Sequence, residues 1–454
     1  RLQLESPLFQ KLQLSELPPI SELLLSNVPP GTLVVTLQIH DNFLYMGATC
    51  SPPPDPDPEA RAAKLQHVTT RVAVREVELH SCIQKLSELN LLIEKELISS
   101  VEVDASFSAQ YCDILRQVDT FLIKPLVTDL VSHFWQWGLG ATHPSNPKQL
   151  LLLPDNFLWP LPLERFPSLL GLFAPPGHAA FARDFSLHLT AMRARTTPPC
   201  PRAVSTVLLT DPFNDDVLRP NEDPKSETMC AMHKRLIETK VVGGAEKSIN
   251  GQTLTPSPQD IKGMLADCTM FLSLGFGRFF TAMQARHLLS QDLRHIKLFA
   301  LFMRAQNDGA FRRQTKADSM KSIKQQAMEN SYGTPLLAAF RGVQCSIQVG
   351  APVPVNLNMR CLETFAKGIQ AGKPVAKALE EVLALTTDDP ARRYERTLEG
   401  GAIPGAAPVD PKKGAPPPAE GAEELLPEHT RTAYFVVGVA WQPSETEAPV
   451  TKKK

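Results

Sequence analysis

Thiol attack on a peptide bond needs a cysteine whose proton a nearby imidazole can take, and the chain has 8 cysteines and 11 histidines. The cysteines fall at 50, 82, 112, 200, 230, 268, 345 and 361. They form no C-x-x-C pair and no dense framework, a spacing that predicts reduced, cytosolic thiols. Cys268 with His287 or His295 is the pair that could be arranged as a dyad. Cys268 opens an apolar run, however, and parallel α/β sheets collect their chemistry at the C-terminal ends of strands. It is expected to be a buried structural thiol, as is Cys345 inside a similar run. Val242-Gly-Gly-Ala-Glu-Lys-Ser248 has fragments of a phosphate loop, but Glu246 stands where G-K-[ST] requires glycine. His67 and His80 lack metal-ligand spacing. No metal, nucleotide or other cofactor is expected. Arg312, Arg313, Lys316, Lys321 and Lys324 read as a solvated charged loop spanning 308–324, with contact to an acidic partner, tubulin tails included, as the alternative.

The elements that would position any chemistry centre on two apolar runs, Cys268-Thr-Met-Phe-Leu-Ser-Leu-Gly-Phe-Gly277 and Ile296-Lys-Leu-Phe-Ala-Leu-Phe-Met303. Each is too short for a confident helix and too apolar to be half-exposed, which predicts strands buried on both faces. Just past their ends stand Gly275-Phe276-Gly277 and Arg304-Ala305-Gln306. No nucleophile paired with a base can be read there.

Around these runs, 32–39 and 43–49 flank His40-Asp-Asn42 and predict a hairpin. The 67–74 stretch reads as a strand, and 77–98 and 109–137 as long amphipathic helices, the second interrupted or kinked at Pro125. Strands are expected at 150–153, 205–209, 268–274, 297–303, 343–349 and 433–440, and a strand or short helix at 183–192. Helices are expected at 227–239, 256–265, 335–342 and 358–384, the last broken at Gly372–Pro374. Pro/Asp-rich 51–58 reads as a loop, and 387–428, rich in Pro, Gly, Ala and charge, as a disordered insertion ahead of one more buried strand.

A length of 454 residues suggests about two to three domains. Hydrophobic residues at 43% allow a substantial core, and a net charge of −1 supplies no global field for nucleic acid or an anionic membrane. No apolar run approaches the roughly 20 residues of a membrane span. A start at Arg1, without Met or a signal-peptide pattern, leaves open that the chain is a piece of something longer.

The order of these pieces resembles the CHAT domain, a caspase-like module that often follows tetratricopeptide repeats. Leu150-Leu-Leu-Leu-Pro-Asp155 through Phe166 is similar to its "hydrophobic run–Pro-Asp-Gly-x-Leu-x-x-x-Pro-Phe-Glu" hallmark, with Asn156 in place of Gly and Leu163-Glu164 in place of Phe-Glu. Asp211-Pro212 resembles the Gly-Asp-Pro turn, 270–277 the "His-x-Ala-Thr-His-Gly" strand and 298–304 the "Val-Leu-Ser-Ala-Cys" strand. The stretches 336–349, 365–383 and 434–439 resemble the family's later strand, helix and closing strand. The resemblance spans about 30–440. It implies an α/β, caspase-like, mostly parallel sheet flanked by helices, with an N-terminal β-hairpin and two long helices. The domain would run over 31–441, after a connector at 1–30 and before a polar tail at 442–454.

The family's catalytic His falls on Phe276 and its catalytic Cys on Arg304. Phe moves no proton and Arg is no nucleophile, so the resemblance implies the fold without the activity: no catalytic residues and no enzyme. A degenerate region of this kind also resembles the large tetratricopeptide-repeat cilia- and flagella-associated proteins of the axonemal central apparatus. That implies a scaffold in cytoplasm, cytoskeleton and ciliary or flagellar axoneme. Its partners would be other large helical axonemal subunits, and the microtubule lattice only indirectly; no nucleic acid or membrane is expected. The competing readings are an active peptidase with a relocated dyad and a phosphate-binding module.

Overall fold

The computed structural model describes residues 28, 32–50, 66–99, 105–136, 149–170, 180–196, 205–216, 227–242, 248–384 and 433–438. The expected connector apart from Val28, the 51–58 loop, the 387–428 insertion and the polar tail lie outside them, as do residues 243–247 of the phosphate-loop look-alike.

The chain opens with β1 (Thr32–His40) and β2 (Phe43–Cys50), paired antiparallel around a two-residue turn. Asp41 and Asn42 take φ of 47° and 62°. Both are residue types that tolerate the left-handed region, and such a turn matches the twist of the strands it joins. β3 (Gln66–Ala73) extends the sheet antiparallel to β2. Then come α1 (Glu76–Ser99), α2 (Ala105–Val118), a π-turn (Asp119–Ile123) and α3 (Lys124–Gln136). The expected interruption at Pro125 is thus a widened turn rather than a break. Lys124 N–H reaches back to the Asp119 carbonyl. The expansion comes where proline's missing N–H and its ring would disturb a regular helix.

The remaining strands are β4 (Gln149–Pro154), β5 (Ala180–Arg183), β6 (Thr206–Thr210), β7 (Ile249–Asn250), β8 (Met270–Phe276), β9 (Leu298–Ala305), β10 (Cys345–Val349) and β11 (Tyr434–Val437). Among them lie α4 (Pro167–Leu170), α5 (Leu187–Thr196), α6 (Met229–Glu238), α7 (Pro258–Ala266), α8 (Phe279–Ala282) and α9 (Ala285–Leu289). After β9 follow α10 (Asp308–Ser319), α11 (Ile323–Met328) and α12 (Gly333–Phe340), and after β10 α13 (Val355–Gln370) and α14 (Val375–Ala384).

Among the described residues, 11 strands form one sheet in the order β3-β2-β1-β4-β5-β11-β10-β9-β8-β6-β7. β1, β4, β5 and β11 run parallel to one another, as do β10, β9, β8, β6 and β7. The two parallel halves meet at the antiparallel β10–β11 pair, so they run in opposite directions. This is the mostly parallel, helix-flanked α/β sheet expected of a caspase-like fold.

The alternation of side chains decides where the core sits. Every residue of β8 is buried. Met270, Leu272, Leu274 and Phe276 join Ala300 and Phe302 of β9 on one face, with α6, α13 and α14. Phe271 faces the other way with Phe299, Leu301 and Met303, against α7, α8, α9 and α12. Beyond the halfway point, Leu33, Val35 and Leu37 of β1 and Leu150 and Leu152 of β4 pack under α1, α2 and α3. Strands covered on both faces need apolar residues at both parities, which is why the runs are nearly continuous.

Three expectations change. Most of the 308–324 stretch is helical rather than loop, with only 320–322 between α10 and α11: Asn307 caps α10 by accepting from Ala310 N–H at 2.8 Å. Asn-Asp-Gly suggests a turn, but here it is a helix start. The 183–192 stretch divides into the end of β5 and most of α5. The short edge strand β7 has no counterpart among the expected strands, because two residues carry no periodicity.

Candidate functional site

The C-terminal ends of β6, β8 and β9 lie side by side, and the sequence expectation for chemistry falls there. β8 and β9 each end two residues later than the expected strands 268–274 and 297–303, so Phe276 and Arg304 belong to the strands themselves. Leu274 pairs with Phe302 but Phe276 with Ala305, so β9 carries one extra residue. Arg304 sits in this bulge with φ of 79°, a left-handed conformation that costs a side-chain-bearing residue strain. Its N–H donates to the Gly277 carbonyl, and the Gly277 N–H donates to the Ala305 carbonyl, both at 2.8 Å. The backbone thus brings the two positions together, while the side chains they carry are a buried phenyl ring and a half-buried guanidinium.

α10 passes over these strand ends and is fastened to them. Arg313 makes a two-pronged ion pair with Asp215 and lies 4.1 Å over the Phe213 ring. Asn307 Nδ2 donates to the Asp215 carbonyl at 2.7 Å. Arg278 pairs with Asp318, and the Gln314 side chain lies against Gly277, leaving only 2.9 Å to where a Cβ would stand. Gln306, 5% exposed, donates to Glu94 of α1 at 2.6 Å, tying β9 to the N-terminal helices. Asp211, at the Asp-Pro turn after β6, takes φ of 43° and accepts from the N–H groups of Asp215 and Asp216. Burial nevertheless pushes its carboxyl up to about 6, outweighing those two donors.

Cys230, at the start of α6 and beside the turn at the end of β6, donates from Sγ to Gln252 Oε1, and Cys268 and Cys345 stand elsewhere. Cys268 lies buried ahead of β8, at the opposite end from Phe276, and Cys345 opens β10. His295 Nε2 bonds the Leu265 carbonyl at 2.8 Å. Burial raises the thiols of Cys50 and Cys82, and Cys361 goes up to about 12. An activated nucleophile needs the reverse shift. His233 is buried on α6, where Nδ1 meets Thr210 Oγ1 at 2.8 Å and desolvation lowers its pKa to about 4. That holds it neutral. No group of three or more His, Cys, Asp or Glu among the described residues could hold a metal.

Residues of the hallmark segment do structural work. Glu164 pairs through both carboxylate oxygens with Arg183 of β5, which is 1% exposed. Arg183 also donates to the carbonyls of Trp159 (2.8 Å) and Leu161 (2.6 Å), and its guanidinium lies over the Trp159 and Phe435 rings. The loop after β4 is thereby pinned to β5 and β11. The sequence gives one hint of this, a lone arginine ending a short apolar stretch; its partner is set by tertiary geometry. The basic run also divides on folding. Arg313 is taken by Asp215 and Lys321 by Glu329, whereas Lys316 and Lys324 face outward.

No known family matches the sequence, and neither does any curated protein. Two solved structures of the Saccharomyces cerevisiae separase–securin complex do match in three dimensions, with TM-scores of 0.54 and 0.55 at 9% and 10% identity. Each match covers 93% of this chain but only 31% and 30% of the other, so the chain spans under a third of the length of those it resembles. At that identity the likeness is one of fold.

Proposed function

We propose that this chain is a degenerate caspase-like (CHAT) domain that serves as a non-catalytic block in a large ciliary or flagellar axonemal assembly, docking against other large α-helical subunits. The observation that carries the proposal is the pair Phe276 and Arg304. The strand ends bring these positions together as a hydrolytic site would need, yet they present a phenyl ring and a guanidinium. Neither supplies the imidazole base or the thiolate nucleophile of cysteine peptidase chemistry. The thiols whose pKa moves are pushed toward the inert form, and α10 is latched across the strand ends by Arg313–Asp215 and Arg278–Asp318. Such a block contributes shape. The axonemal setting rests on the order of degenerate motifs in the sequence. Loss of residues 1–454 is expected to remove an axonemal projection from tomographic maps while leaving substrate cleavage unchanged. A complete projection built without them would refute the reading.

A further inference from the structure

The corner between α10 and α11 presents apolar side chains to solvent from a rigid mount. Met320 and Ile323 are each 86% exposed, more than any other large hydrophobic residue among those described. Single exposed apolar residues are ordinary, but these two flank one corner, and that corner is not frayed. Ser322 and Gln325 close a capping box at the start of α11. Gln326 Nε2 donates to the Asp318 carbonyl at 2.9 Å, and Lys321 reaches the buried Glu329 at 2.5 Å. A patch already held in place loses little conformational entropy when a partner covers it.

The charges beside the patch are of one sign apart from a single carboxylate. Arg312, Lys316 and Met320 follow at i, i+4 intervals along one side of α10, and Lys324 adjoins Ile323 beyond the corner. The neighbouring acids Asp318 and Glu329 are turned inward to Arg278 and Lys321, leaving Asp308, paired with Arg312, as the exposed carboxylate of the stripe. An anionic membrane is the poorer fit, since the helix has only 12 residues and a broad apolar face is lacking.

We infer that the α10–α11 corner is a docking site for an acidic amphipathic helix of a partner protein, with Met320 and Ile323 under its apolar stripe and Lys316 and Lys324 meeting its flanking carboxylates. The inference rests on the non-catalytic reading: a helix seated there lies beside the latch that covers the strand ends, so the end of the fold suited to chemistry is used for recognition.

The test is a titration of the full chain with a synthetic amphipathic helix, leucine on one face and glutamate on its flanks, followed by fluorescence anisotropy. A second peptide carries lysine in place of glutamate. The chain should prefer the acidic peptide, and M320D/I323D and K316E/K324E should each weaken it by about tenfold or more. K316E/K324E should in turn bind the lysine peptide better than the unaltered chain does. These side chains are exposed, so folded variants are expected, and circular dichroism checks that they are. Equal binding of both peptides, no binding, or unaffected variants would overturn the inference. So would binding to phosphatidylserine vesicles instead of the peptide, or binding seen only after deletion of 387–428, whose glutamates would then be the occupant. None of these outcomes touches the thiol chemistry, so the docking site can fail while the non-catalytic reading stands.

Discussion

Arg304 is the residue at which backbone and side chain disagree. Its left-handed φ belongs to the bulge that brings β9 against Gly277, a conformation glycine adopts freely and other residues reach at a cost of roughly 1–2 kcal/mol. R304G is therefore expected to be more stable than R304A by about 1 kcal/mol, the reverse of the usual order, as read by urea denaturation. Equal stabilities would mean that the bulge stores no strain. Asp211 gives a second prediction, with a sign fixed by linkage. Its folded pKa is raised from 3.8 to about 6 by burial, so the folded state holds the proton more tightly than the unfolded chain. The stability this confers is complete below about pH 4 and is lost as pH rises through 6. The stability of the natural chain relative to D211N should fall between those values, in urea melts across a pH series. A flat difference would show that the carboxyl titrates normally.

At the level of elements, the turns after β6 and β7 are locked to each other. A Cβ on Gly251 would lie 1.7 Å from the Asp211 carbonyl oxygen and 2.8 Å from its carbon, both backbone atoms that cannot swing aside. G251A is expected to destabilise the chain by at least about 3 kcal/mol or to detach β7, which pairs with β6 through only two residue pairs. Amide hydrogen exchange at Gly251, whose N–H donates to Thr210, separates the two outcomes. The major strands were legible in the sequence because β8, β9, β4 and β10 are covered on both faces and so read as unbroken apolar runs. The hairpin was legible from Asp41-Asn42. α10 was not, since its cap lies in an Asn-Asp-Gly stretch that equally suits a turn and its face is mostly charged. Phe276 and Arg304 could be placed at strand ends from the sequence, and the backbone brings them together there; the latch over them was not legible. Arg313–Asp215 spans 98 residues and Arg278–Asp318 spans 40, and no local pattern encodes such partners.

For the molecule as a whole, the sheet joins two parallel halves of opposite direction, and each half has its own helical cover. The strand ends where α/β proteins place their chemistry are bridged by α10 and, through Gln306 and Glu94, tied to the N-terminal helices. The fold shared with separase is thus held here by ion pairs and apolar packing around positions that carry no acid–base pair. The most direct test is covalent labelling of the native chain with a caspase-type peptidyl electrophile, read by intact mass. The expected result is no fold-dependent adduct on any of the eight cysteines. Stoichiometric modification of one cysteine, abolished by substituting a single histidine, would contradict the account.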